Sequence, residues 1–229
     1  MGHARLPALT GDARVDRWRE HRAAVRAELV EATLRAIDDY GPDLSIDDVV
    51  KTAAVPRPKL YRFFDDKDAL FSAVGERVQE MVLDCVVPHF AVAGTAIELV
   101  RSALAAYIDL VAARPNVFRF LVGAQFTERR STTALLEGGR PLANAARDVL
   151  AEVFRSRGGD GNHLDFVIDA ALGAVALGVL RWLNDPTIDK SALVEQLTTF
   201  LWGAVSATAA VRGVVLNPDD PLGDPRTAD

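Results

Sequence analysis

The chain has 229 residues, is 49% hydrophobic, and carries one cysteine and a formal net charge of −6, with a pI of about 5.3 and a mean hydropathy of +0.10. That is ample for a sizeable apolar core, and a lone Cys85 excludes a disulfide framework within the chain. The acidic balance argues against a generic nucleic-acid binder, but it is uneven: 12 basic and 12 acidic residues precede Asp68, so the following 14 basic and 20 acidic residues hold the whole −6.

Met1-Gly2-His3 runs into a polar stretch with no apolar segment, so no signal peptide is expected. Residues 1–20 hold Arg5, Arg14, Arg17 and Arg19, with Pro7 and Gly11 as breakers. They read as a flexible Arg-bearing arm able to reach phosphates, against the plainer reading of a disordered terminus. A long helix follows, from about Val15 or Arg22 to Tyr40, with Val25, Leu29, Ala32, Ala36 and Tyr40 at helical spacing; Gly41-Pro42 stops it.

Leu44 to Leu70 is the most informative stretch. Ser45 is a good N-cap, with Asp47 and Asp48 in the first turn, where the helix dipole favours negative charge. Ile46, Val49, Val50 and Ala53 continue a short amphipathic helix. Pro56 and Pro58 end it and can begin a second helix, because a proline in a first turn lacks only an N–H that would be unpaired there. That second helix, roughly Arg57 to Phe64, carries Arg57, Lys59 and Arg62 beside Leu60, Tyr61, Phe63 and Phe64. Two short helices about a tight turn, the second basic and aromatic, read as a helix-turn-helix.

The remainder reads as helix throughout. Asp66 caps a segment running through Leu70, Val74, Val78 and Cys85 to Pro88. Thr95–Arg114 and Asn116 to about Thr127 follow, then a polar loop at Glu128–Ser131 and a break at Gly138-Gly139. Pro141 opens a helix to about Arg157, and Gly158 to Gly161 is a loop rather than a nucleotide fingerprint, as no strand precedes it. Phe166–Leu183 is apolar nearly all round, with Gly173 and Gly178 permitting close approach; its run Ala170–Leu180 is short for a membrane span and flanked by Asp169 and Arg181. Leu193–Val211 repeats apolar and small residues, and two such helices from each of two chains would make a four-helix interface. The tail from Asn217, rich in Pro and Asp, is expected to be disordered.

At Leu44–Leu70 the chain resembles the DNA-binding domain of the tetracycline-repressor (TetR) family. Ala54-Val55, Leu60-Tyr61, Phe64, Lys67 and Ala69-Leu70 fit that family's pattern in register, while Ala54, Pro56 and Pro58 stand where Gly, Ser and Gly are usual. An alanine at 54 is expected to make the turn avoid a left-handed conformation. The resemblance implies an all-α fold: a three-helix helix-turn-helix domain at 21–67, then a helical-bundle ligand-binding and dimerisation domain at 68–214 and a tail at 215–229. It implies a homodimer through the last two long helices and double-stranded DNA with a palindromic operator as partner; the lone cysteine, the lack of an apolar leader and the short run Ala170–Leu180 lead to the expectation of a cytoplasmic location without membrane attachment.

By the same resemblance Arg57, Pro58 and Lys59 sit where base edges are read, and Tyr61 and Lys67 match positions that contact phosphate, with Ser45 a third such candidate beside its capping role. The helix after Lys67 would set the spacing of two DNA-reading heads. Family bodies hold a small-molecule pocket, for which Tyr107, Phe118, Phe120, Phe126 and Trp182 are the candidates, each equally readable as core; the few charges on those faces favour an apolar or amphipathic effector. The four histidines have no ligand spacing and no nucleophile motif stands out, so neither metal, cofactor nor catalysis is expected. The reading is thus a repressor released by a small ligand. The alternative is a helical-bundle carrier or enzyme without sequence-specific DNA binding.

Overall fold

A computed structural model describes residues 13–91, 94–127 and 132–221, and the side chains of 15–91, 94–121 and 139–221 among them. The expected arm up to residue 12, the loop at 128–131, the Phe126 side chain and the tail beyond Pro221 lie outside the described residues. Within them the chain is helical: α1 (Ala13–Tyr40), α2 (Ile46–Thr52), α3 (Arg57–Leu60), α4 (Lys67–Val86), a 3-10 turn (Val87–Ala91), α5 (Ala96–Ala113), α6 (Pro115–Thr127), α7 (Thr132–Ser156), α8 (Asp165–Asn184) and α9 (Lys190–Val211). An isolated bridge between Thr95 and Pro221 is the only strand-like pairing among the described residues.

The chain divides into two compact units, residues 1–81 with 114–130, and 82–113 with 131–229. The first holds α1, α2, α3, most of α4, and α6. Leu29, Val30, Leu34 and Ile37 of α1 are buried, as are Val49, Leu60, Phe64, Leu70, Val74 and Val78 from the helices that follow. From α6, Val117, Phe118 and Phe120 are buried too, and the Phe120 ring meets Phe71 of α4 edge-on, with centroids 4.8 Å apart. Polar contacts fix the angles between these helices. Arg77 of α4 donates from Nε to Glu31 of α1 at 2.7 Å. Arg114, just ahead of α6, donates to Asp38 at 2.5 Å, and Asn116 donates to the Asp38 carbonyl at 3.1 Å.

In the second unit α9 packs along α5 and α8, and α8 along α7. One buried cluster there is Leu150, Phe154, Leu164, Ile168, Ala209 and Val214. Arg101 of α5 grips Glu195 of α9 through two hydrogen bonds of 3.0 and 3.3 Å, and Lys190 pairs with Asp109. At the Gly158–Gly161 loop a Cβ on Gly159 would stand 2.1 Å from Val214, so only glycine admits this close approach. As far as Pro221 the tail keeps contacts: Asn217 and Asp220 form a hydrogen-bonded turn, and Ile97 N–H donates to the Pro218 carbonyl at 3.4 Å.

Three local expectations give way. The helix expected from Val15 or Arg22 begins at Ala13, so Arg17 and Arg19 are helical. The break expected at Gly138-Gly139 and the start expected at Pro141 fall inside α7, which begins at Thr132. Ala134, Leu135, Leu136 and Glu137 are strong helix formers, and they carry the helix through residues that only weaken it locally. Ala54, expected to avoid the left-handed region, has φ 51°.

Candidate nucleic-acid interface

The two short helices are each held by their own ends. Ser45 Oγ accepts the Asp48 N–H at 3.3 Å and the Asp48 carboxylate accepts the Ser45 N–H at 2.8 Å, a reciprocal capping box at the head of α2. The Ser45 hydroxyl, then its N–H, hold the Asp48 carboxyl below its ordinary pKa. At the far end Ala54 N–H bonds the Lys51 carbonyl at 3.2 Å and Val55 N–H bonds the Val50 carbonyl at 3.1 Å. Those two bonds form a Schellman cap, whose geometry needs the residue at 54 to turn left-handed.

Pro56 then starts α3 in extended conformation, with Pro58 inside its first turn. The helix is a single turn, Arg57–Leu60, and residues 61–63 continue as turn rather than helix, shorter than the expected run to Phe64. Leu60 and Phe64 point into the core, which turns Arg57, Pro58, Lys59 and Tyr61 outward together. Arg57 pairs with Asp47 at 3.4 Å, with both side chains more than half exposed, and its guanidinium lies over the Tyr61 ring at 5.9 Å. Tyr61, and after it Asp47, raise the Arg57 pKa above its ordinary value, so it stays a cation throughout the working pH range. An exposed pair of this kind is worth less than about 1 kcal/mol, so Arg57 can exchange Asp47 for a stronger anionic partner.

Lys59 borders a groove of about 230 Å³ with Val25, Glu28, Arg35 and Val55. Lys67, at the first turn of α4, lies over Phe71 at 4.9 Å, beside the Asp66 carboxylate that caps the helix by accepting the Ala69 N–H at 2.7 Å. Ser45, Arg57, Pro58, Lys59, Tyr61 and Lys67 are therefore all exposed residues of the first unit, with Ser45 engaged in its cap. A feature the spacing did not disclose is Arg22 of α1, whose Nη2 donates to the Arg62 carbonyl at 3.1 Å while its guanidinium lies between the Trp18 and Phe63 rings, 5.7 and 5.4 Å from their centroids. Only a contact forty residues apart in sequence brings these side chains together.

The five pocket candidates divide. Phe118 and Phe120 are buried in the first unit. Tyr107 and Trp182 belong to the second: burial pushes the Tyr107 phenol up to about 12, and Trp182 Nε1 donates to the Ile188 carbonyl at 2.8 Å. The described residues hold no group of three or more His, Cys, Asp or Glu able to take a metal ion.

Comparison with known proteins matches residues 29–74 to the family described as bacterial regulatory proteins, tetR family, and residues 97–204 to a tetracyclin repressor-like C-terminal domain. A helix-turn-helix-type transcriptional regulator of Mycobacterium tuberculosis is 29% identical over 215 residues, covering 91% of this chain and 90% of the relative. The transcriptional activator FasR of Mycolicibacterium smegmatis is 24% identical over 190 residues, covering 82% and 85%. Among solved structures, a regulator from Streptomyces coelicolor superposes with a TM-score of 0.63 at 21% identity, covering 81% of this chain and 84% of that one. FadR of Bacillus subtilis in complex with stearoyl-CoA gives 0.62 at 18%, covering 76% and 96%. At those identities the structures establish the fold alone.

Proposed function

Because this chain belongs to the TetR family of helix-turn-helix transcriptional regulators, we propose that it is a dimeric repressor that leaves a palindromic operator when a small amphipathic ligand binds. The observation that carries the reading is the outward set Arg57, Pro58, Lys59 and Tyr61, backed by buried Leu60 and Phe64. Arg57 and Lys59 would pair with guanine O6 and N7, and Pro58 would lie against a thymine methyl. Tyr61 and Lys67 would hold phosphates and so set the register in which those bases are read. Ser45 would act through its cap, presenting the first turn of α2 to the backbone.

Two exposed apolar stripes support the dimer. Phe166, Ala170, Gly173 and Leu177 run along α8, and Phe200, Gly203, Ala207 and Val211 along α9, at three- and four-residue steps. A Cβ on Gly173 or Gly203 would meet nothing within 4 Å, so these glycines leave room for a partner helix. By length and composition α8 could also cross a membrane, with a mean hydropathy of 1.8; the matching stripe on α9 and the Asp169 and Arg181 side chains favour a helix partner and a cytoplasmic protein. For the effector, the stearoyl-CoA complex of the FadR neighbour supports an acyl compound, taken up near Tyr107, Phe118, Phe120, Phe126 or Trp182. Its binding would shift α4 and change the spacing of the two heads.

Selection of bound sequences from a random duplex pool tests this, run on the wild type and on Lys59→Ala/Tyr61→Ala. A palindromic consensus that the double variant fails to enrich is the expected result. If the wild type enriches none at moderate salt, the repressor reading falls. With the consensus in hand, stearoyl-CoA is added: it should weaken operator binding, and operator should weaken stearoyl-CoA binding by the same factor.

A further inference from the structure

The DNA-facing surface does not end with the helix-turn-helix. Arg22 ties α1 to the end of α3 through the Arg62 carbonyl and the Phe63 ring, and Arg26 lies over Phe64 at 4.8 Å. Nine residues of α1, Ala13 to His21, precede that tie, and at 1.5 Å per residue they extend the helix by about 13 Å. At about 100° per residue, Val15, Trp18, Arg19, Arg22 and Arg26 fall on one stripe, the side that meets Phe63 and Phe64. Glu20 falls on the other side, and the buried Asp16 lies between it and Arg19. In a chain of net charge −6, this stripe and the exposed Arg62 beside it make a cationic ledge continuous with the recognition helix. Its tip is Trp18, 61% exposed.

We propose that this ledge, formed by Trp18 and Arg19 with Arg22 and Arg62 behind them, holds the sugar–phosphate backbone of duplex DNA flanking each operator half-site. A flat indole suits the sugar edge, and its N–H can donate to a phosphate oxygen. Arg19 supplies the charge, while Arg22, stacked and hydrogen bonded, positions Trp18 and Arg62. Contacts of this kind lengthen the site and raise affinity without reading sequence. The inference rests on the DNA-binding reading above, and it names a second contact region for that function.

The test measures affinity for a mixed-sequence duplex against salt concentration, so it needs no operator. Each phosphate contact contributes about 0.9 to the slope of log affinity on log salt. Arg19→Gln is expected to lower the magnitude of the slope by about one, so the wild type's advantage shrinks about threefold between roughly 50 and 200 mM salt. Arg19→Lys keeps the slope, which separates a lost charge from a disturbed helix. Arg17→Gln makes the same charge change on the far side of α1 and keeps it too. Equal losses from Arg17→Gln and Arg19→Gln, or no loss from either, overturn the ledge. Random-pool selection with Arg19→Gln should return the wild-type consensus, since only flanking contacts are removed; a changed consensus would overturn it as well. Failure of the wild type to select any consensus counts against the repressor reading alone, because the slope comparison is decided separately.

Discussion

Ala54 sits at φ 51° because two hydrogen bonds at the end of α2, from the N–H groups of residues 54 and 55, close only if that residue turns left-handed. An L side chain in that region costs about 1–2 kcal/mol through its Cβ, so the turn between the two helices of the helix-turn-helix is held against its own preference. Glycine relieves the clash but loses more backbone entropy on folding, by roughly 0.5–1 kcal/mol. Ala54→Gly is therefore expected to raise the unfolding free energy by about 1 kcal/mol or a little less, seen as a higher urea midpoint with unchanged slope. A midpoint that stays put or falls would mean that the left-handed turn is not strained in solution. The position also marks a limit of what residues reveal one at a time: alanine's preference pointed away from the left-handed region, and the pair of cap hydrogen bonds, a property of the helix end, overrode it.

Helices whose ends carry explicit chemistry were legible. Ser45 caps α2, Asp66 caps α4, and Gly41 ends α1 at φ 92°. The start of α7 was not, because two glycines and a proline outweighed the helix formers before them. Nor was the company α6 keeps, which Arg114, Asn116 and Phe120 decide by contacts with Asp38 and Phe71 far away in sequence. The basic and aromatic residues of the helix-turn-helix were readable for the opposite reason, since one short segment contains them all.

Tyr107 shows what an element's surroundings add to a residue: its place on α5 buries the phenol and pushes it up to about 12. An unfolded chain releases that proton near pH 10. Above about pH 10 the unfolded state thus binds fewer protons, and stability falls as pH rises toward 12; below pH 10 the group contributes nothing to the pH dependence. Tyr107→Phe should flatten that decline, by about 1 kcal/mol between pH 8 and pH 11 in urea melts. Parallel declines in both proteins would refute the burial assigned to this side chain.

For the molecule as a whole, the deciding quantity is apolar surface left uncovered. A helix as apolar as α8 reads as buried on every side, yet within its unit it buries Ile168, Val175 and Val179 and leaves Phe166 87% and Leu177 61% exposed. On α9 Phe200 is 51% exposed and Val211 90%. Each such side chain forgoes roughly 1.5–3 kcal/mol that full burial would supply, and a second copy offering the same two stripes is the simplest surface able to recover it, since a two-fold interface meets itself. Leu177→Glu with Phe200→Glu would place four like charges in that interface while touching little of the fold, so helical content should hold and the sedimenting mass should halve. If the protein is the proposed dimer, DNA binding should then separate into two terms: affinity for a palindrome falls toward that for a single half-site, because the second head no longer acts at the high effective concentration a dimer would provide. A variant that keeps the wild-type mass would place the interface elsewhere. One that halves in mass yet keeps full palindrome affinity would mean that the two heads bind independently, and a ligand could not then release the operator by changing their spacing.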